Sequence, residues 1–197
     1  MLNKFRSNLK PLLEKIGLLF ASTGLSPNFW TFFAFGLAVI ASLFFALNSF
    51  DIFFSAIILG SILLLISGFF DIVDGSVAKI TKKSSKKGAF LDSTFDKISE
   101  IIIFLGLAVG GIVNPTLCLL GISLSLMVSY TRSRAETLGV NLSGIGFGER
   151  AERILILGVM GMIPFENSLQ YAVIIIIIIS SITIIERISR TIKEIKE

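Results

Sequence analysis

Residues 52–70 contain nineteen consecutive positions without a charge. A helix of about 20 apolar residues crosses the roughly 30 Å hydrocarbon core of a bilayer. In lipid every backbone N–H and C=O must be satisfied within the chain, so runs of this length dictate helices. The same holds for VIIIIIIS at 173–180, a β-branched run that would favour a strand in water. Of the 197 residues, 53% are hydrophobic and only 16% charged, against about 25% charged in an ordinary soluble domain. The expected class is therefore an all-α polytopic membrane protein, folded as one domain over 1–197.

Six spans are expected, at 28–48, 52–80, 88–110, 116–138, 150–163 and 168–186, within a bundle covering 25–190. Ser26-Pro27 is a start signal for the first. Ahead of them, over 1–24, Leu2, Phe5, Leu9, Leu12, Leu13, Ile16 and Leu19 recur at helical spacing, with Lys4, Arg6, Lys10 and Lys15 between them. That pattern predicts an amphipathic helix lying in the membrane interface. The 18 Lys and Arg residues fall within 4–15, 79–97, 132–153 and 187–196. With six spans these groups share one side, and the opposite turns at 49–51, 111–115 and 165–167 hold no Lys or Arg. The positive-inside rule then places both termini on the cytoplasmic side of the cell membrane.

Composition also restricts the chemistry. There is no histidine, and Cys118 is the single cysteine, so histidine acid–base chemistry, histidine metal sites and an intrachain disulfide are all excluded. A metal would be held by oxygen, which favours Mg2+, Mn2+ or Ca2+. The third and fifth spans are purely apolar only over 101–113 and 154–165. Their remaining halves bring Asp92, Asp96, Lys97, Glu100, Arg150, Glu152 and Arg153 to membrane depth, where polar residues face a bundle interior or a watery cavity.

Residues 71–96 read DIVDGSVAKITKKSSKKGAFLDSTFD. Asp71 and Asp74 are three apart and share a helix face; Asp92 and Asp96 are four apart and do the same. The short linker between the helices lets the two pairs converge. Four carboxylates at low dielectric repel one another unless cations neutralise them. Two bridging divalent ions would do so, and would suit phosphoryl chemistry by clamping a diphosphate. Gly75, Ala78 and Gly88 leave space beside the acids. Salt bridges to Lys79, Lys82 or Lys97, a cation pathway and a proton relay are alternative uses of the same residues.

The pattern Asp-x2-Asp-Gly-x2-Ala-Lys-x8-Gly-x3-Asp-x3-Asp resembles the signature of the CDP-alcohol phosphotransferases, which have Arg where this chain has Lys79. Lysine keeps the charge and loses the bidentate fork. The resemblance implies transfer of a phosphatidyl-type group from a CDP-linked lipid to an alcohol, with release of CMP. It implies that Asp71, Asp74, Asp92 and Asp96 hold two divalent cations, Mg2+ or Mn2+, and that Asp96 is also the general base. Asn28, Thr31, Gly75, Ala78, Lys79 and Gly88 would border the CDP-lipid. A homodimer in the membrane is implied too, with no nucleic-acid partner.

The acceptor is read from YTRSRAETLG (130–139) and GERAER (148–153). Arg132, Arg134, Arg150 and Arg153 suggest a second anionic ligand, since guanidinium pairs bidentately with phosphate. Basic helix ends are also ordinary on a cytoplasmic face, and Glu136, Glu149 and Glu152 could pair with these arginines. The two segments resemble those of phosphatidylinositol phosphate and archaetidylinositol phosphate synthases. That likeness implies myo-inositol phosphate as acceptor and CDP-archaeol as donor. Glycerol phosphate or a small polar alcohol are alternative acceptors, and a cation channel or transporter is the alternative of a different class.

Overall fold

The computed structural model describes residues 2–48, 56–142 and 144–195, with side chains from Pro11 onward. The described residues form seven helices: α1 Leu2–Ala21, α2 Pro27–Leu47, α3 Ala56–Ile80, α4 Lys86–Val109, α5 Pro115–Thr137, α6 Arg150–Met162 and α7 Ser168–Glu194. The start of the expected second span and the whole 49–51 turn lie outside the described residues, as do the side chains of Leu2, Phe5 and Leu9.

Helix starts follow local chemistry. Ser26 Oγ accepts from Phe29 N ahead of Pro27, and Asn114 Oδ1 accepts from Thr116 N ahead of Pro115. A capping serine or asparagine satisfies a backbone donor the helix cannot, and proline at the first position has none to satisfy. Ser85 caps α4 through Gly88 N, and Glu149 with Glu152 forms a reciprocal capping box at α6.

By length and composition, α2, α3 and α7 are long and apolar enough to cross a membrane. Helices α4, α5 and α6 place charge in the half that faces the polar end of the bundle. Helix α6 has 13 residues, about 20 Å of helix, less than a bilayer core.

Helix α2 lies between α3 and α4, α5 packs on α7 and α4, and α6 packs mainly on α3 and α7. Phe45, Leu64, Phe104, Leu107, Leu157 and Ile176 centre the main core. Along α1, Ile16 and Phe20 pack toward Trp30, Val73 and Val77, while Leu12 and Leu19 stay exposed. The Phe20 ring meets Trp30 edge-on, with centroids 4.9 Å apart. So part of the apolar stripe of α1 docks on the bundle and part remains free.

Close approach of α2 and α4 requires Gly106. A Cβ there would lie 2.5 Å from both the carbonyl and the hydroxyl oxygen of Ser42, whose hydroxyl donates to Ile102 O. Gly106→Ala is expected to destabilise the protein by about 1–3 kcal/mol, read as a lowered unfolding midpoint in detergent. Gly36→Ala, where a Cβ meets nothing within 4 Å, should match or exceed the parent. Equal midpoints for the two variants would contradict the close packing of α2 on α4.

Candidate active site

The four aspartates occupy the end of α3 and the beginning of α4, so the short 81–85 linker folds the two acid pairs against each other. Carboxylate oxygens of Asp71, Asp74 and Asp92 all lie within 4.8 Å of one another. Thr31 Oγ1 donates to Asp74 Oδ2 at 2.6 Å, fixing one member from α2. The donors are all oxygen and half-buried or buried, a set that fits a hard divalent cation. Asp96 lies beside this trio and is tied to α6. Arg150 Nη1 is 2.7 Å from Asp71 Oδ1 and 2.5 Å from Asp96 Oδ1. One guanidinium therefore bridges both acid pairs.

A cavity opens on each side of the cluster. The first, of about 210 Å³, is lined by Asn28, Thr31, Asp74, Gly75, Ala78, Lys79, Gly88 and Asp92. All six residues expected to border a CDP-lipid thus face one space. Lys83, Ser84 and Ser85 join them there. The second, of about 560 Å³, is lined by Asp71, Asp92, Asp96, Lys97, Ser129, Arg132, Glu149, Arg150, Arg153 and Arg187, among others. Asp92 borders both, so the carboxylate cluster is the partition.

The four arginines singled out in the sequence separate here. Arg132 borders the second cavity and pairs with Glu136 at 2.9 Å. Arg150 sits between that cavity and the cluster. Arg153 is 1% exposed, and its Nε and Nη2 grip both oxygens of buried Glu100 while Nη1 donates to Gly148 O. Arg134 borders a different surface cavity, with Tyr130, Leu138 and Ile188.

Arg187, which the sequence places only in the 187–196 basic group, borders the second cavity. It is 1% exposed and donates to the carbonyls of Val128 and Ile145 at 2.6 and 3.0 Å. Glu149 Oε1 stands 3.8 Å from both Arg187 Nη2 and Arg132 Nη1. Thr183 Oγ1 accepts from Phe147 N and Gly148 N, so α7 pins the loop that leads into α6. The available signal was an arginine just after the isoleucine-rich run of α7, ahead of the more exposed Arg190. A buried charge is retained only where it has partners.

Residues 24–192 match the CDP-alcohol phosphatidyltransferase family. The chain is 39% identical over 188 residues to the archaetidylinositol phosphate synthase of Pyrococcus horikoshii, covering 95% of each chain. It also resembles two crystal structures of the Mycobacterium tuberculosis phosphatidylinositol phosphate synthase, each at 25% identity. One has CDP-DAG bound, with TM-score 0.76, covering 92% of this chain and 94% of that one. The other is in complex with manganese and citrate, with TM-score 0.75, covering 91% of this chain and 88% of that one. This chain therefore belongs to the CDP-alcohol phosphatidyltransferase family, enzymes of phospholipid synthesis.

Proposed function

We propose that the enzyme transfers an archaetidyl group from CDP-archaeol to myo-inositol phosphate, giving archaetidylinositol phosphate and CMP. The observation that carries this reading is the partition itself. A cavity with small residues and lysines, and one rimmed by arginines, meet at a single carboxylate cluster. Two anionic substrates can then approach one centre from opposite sides. The likeness to an archaetidylinositol phosphate synthase supports the choice of acceptor and lipid.

In this reading Asn28, Thr31, Gly75, Ala78, Lys79 and Gly88 receive the CDP portion. Glycine and alanine let the diphosphate approach the backbone, and Lys79 with Lys83 offsets its charge. Asp71, Asp74 and Asp92, with Asp96, would hold two divalent cations, Mg2+ or Mn2+, whose charge would balance the diphosphate and the departing CMP oxygen. Arg132, Arg150 and Arg187 bind the acceptor phosphate on the other side. Asp96 accepts the proton of the inositol hydroxyl as that oxygen bonds to the lipid-side phosphorus. The bond from that phosphorus to the bridging oxygen breaks, and CMP leaves.

The same proposal sets the chain in a membrane with six spans, α2 to α7, and with α1 in the interface. Residues 48–55, 110–114 and 163–167 contain no Lys or Arg, which supports a cytoplasmic active site and cytoplasmic termini.

Purified enzyme given CDP-archaeol, Mg2+ or Mn2+, and inositol phosphate should release CMP. Release with glycerol phosphate but not inositol phosphate would overturn the acceptor. Asp96→Asn is expected to lower turnover by roughly 10²–10⁴-fold while CDP-lipid binding, measured by calorimetry, persists; near-normal turnover removes Asp96 as the base. Arg132→Ala removes a charged hydrogen bond of about 1.5–3 kcal/mol, which corresponds to roughly ten- to a hundredfold in KM for the phosphorylated acceptor. An unchanged KM would leave Arg132 as a helix-end residue only.

A further inference from the structure

Two charge pairs connect α4 to α6 in register. Asp96 and Glu100 are one turn apart on α4, and Arg150 and Arg153 are one turn apart on α6. Asp96 takes Arg150, and Glu100 takes Arg153. Helix α6 packs mainly on α3 and α7, and these two pairs are directional ties from it to α4. The first rung borders both the cluster and the acceptor cavity. The second lies deeper, with Glu100 7% and Arg153 1% exposed.

The deeper rung has a distinct geometry. Arg153 engages both Glu100 oxygens with Nε and Nη2, the planar fork–fork arrangement that fixes orientation as well as distance. Its third nitrogen donates to Gly148 O, the residue before the N-cap of α6. Glu100 thereby holds, through one guanidinium, both the first turn of α6 and the loop entering it. The fork that could grip a substrate phosphate is already closed on a carboxylate. Helix α6 then carries Arg150 and Glu149 to the cavity at a fixed rotation.

We propose that Glu100 is a positioning residue for the acceptor side of the reaction: its bidentate pair with Arg153 fixes the N-terminal turn of α6, and with it Arg150, against the carboxylate cluster. This rests on the acceptor reading above. The first cavity draws its walls from α2, α3, the 81–85 linker and the start of α4, and neither Glu100 nor Arg153 lines it, so loss of the rung should weigh mainly on the acceptor side. The effect is therefore one-sided, which distinguishes positioning from general support of the fold.

The test begins with the parent enzyme, CDP-archaeol, Mn2+ and inositol phosphate. No CMP release there rejects the functional reading itself. With an active parent, Glu100→Gln should raise KM for inositol phosphate at least tenfold and leave KM for CDP-archaeol within twofold. Glutamine keeps the shape and leaves Arg153 uncompensated, which threatens folding, so a second variant is paired with it. Glu100→Leu combined with Arg153→Met replaces a buried ion pair by apolar groups, an exchange often neutral or stabilising. That double variant should melt near the parent yet keep the raised acceptor KM, because leucine and methionine impose no fixed rotation on α6. Calorimetry with inositol phosphate alone should show the same weakened binding without turnover. A parent-like acceptor KM in either folded variant, or an equal loss for both substrates, overturns the proposal.

Discussion

The fold is organised around a charge problem. Carboxylate oxygens of three aspartates come within 4.8 Å of one another, and at an effective dielectric near 20 each such pair repels by about 3 kcal/mol. A fourth, Asp96, adds to the load. No helix could carry these groups into an apolar bundle without cations delivered from elsewhere. Arg150 arrives from α6 and bridges Asp71 to Asp96, while Thr31 arrives from α2 to bond Asp74. Four helices therefore converge on one point, and the N-terminal ends of α2, α4 and α6 meet the C-terminal end of α3 there. The loop that delivers α6 is in turn fixed by Thr183 and Arg187 of α7.

Convergence at one end explains the two cavities. The acids need space for cations, so the backbone around them is built from small residues on the α2–α3–α4 side. On the α4–α5–α6–α7 side, long charged side chains line the space instead. Asp92 borders both. In the proposed reading the diphosphate takes the first kind of wall, where approach to the backbone matters. The phosphate carried on a polyol takes the second in that reading, where guanidinium reach matters. Under the proposed donor assignment, Lys83, which lines the same cavity as Lys79, would supply a second cation. Two point charges can offset a diphosphate without the fork of an arginine.

Much of this was legible in the chain. Acid pairs at spacings of three and four define helix faces wherever they stand, and a linker of a few residues leaves them no option but to meet. Ser26-Pro27 marked the start of its helix for a local reason that tertiary packing did not alter. The arginines were less legible. Spacing put Arg150 and Arg153 on one face but said nothing about depth, and depth separates them: one meets the cluster, the other is closed on Glu100. Arg134 is two residues from Arg132, a step that turns a side chain through most of a half-circle on a helix. It faces another cavity for that reason. Arg187 was hidden because its partners are main-chain carbonyls from α5 and from the 140s loop, contacts across more than forty residues that no local pattern encodes.

The buried Glu100–Arg153 pair is the feature a stability argument alone does not explain. An apolar pair of similar volume would serve the core as well, since desolvating two charges offsets most of their attraction. What the ion pair adds is orientation. Helix α6 is short, its first turn borders the reaction centre, and its main packing partners are α3 and α7, while two of the aspartates sit on α4. Apolar contacts are non-directional and would let α6 rotate by several degrees with little change in burial. At Arg150, whose nitrogen must reach two carboxylates at once, such a rotation would break one contact or the other. A bidentate pair one turn deeper is the economical means of preventing it, because its planar geometry tolerates neither rotation nor slip.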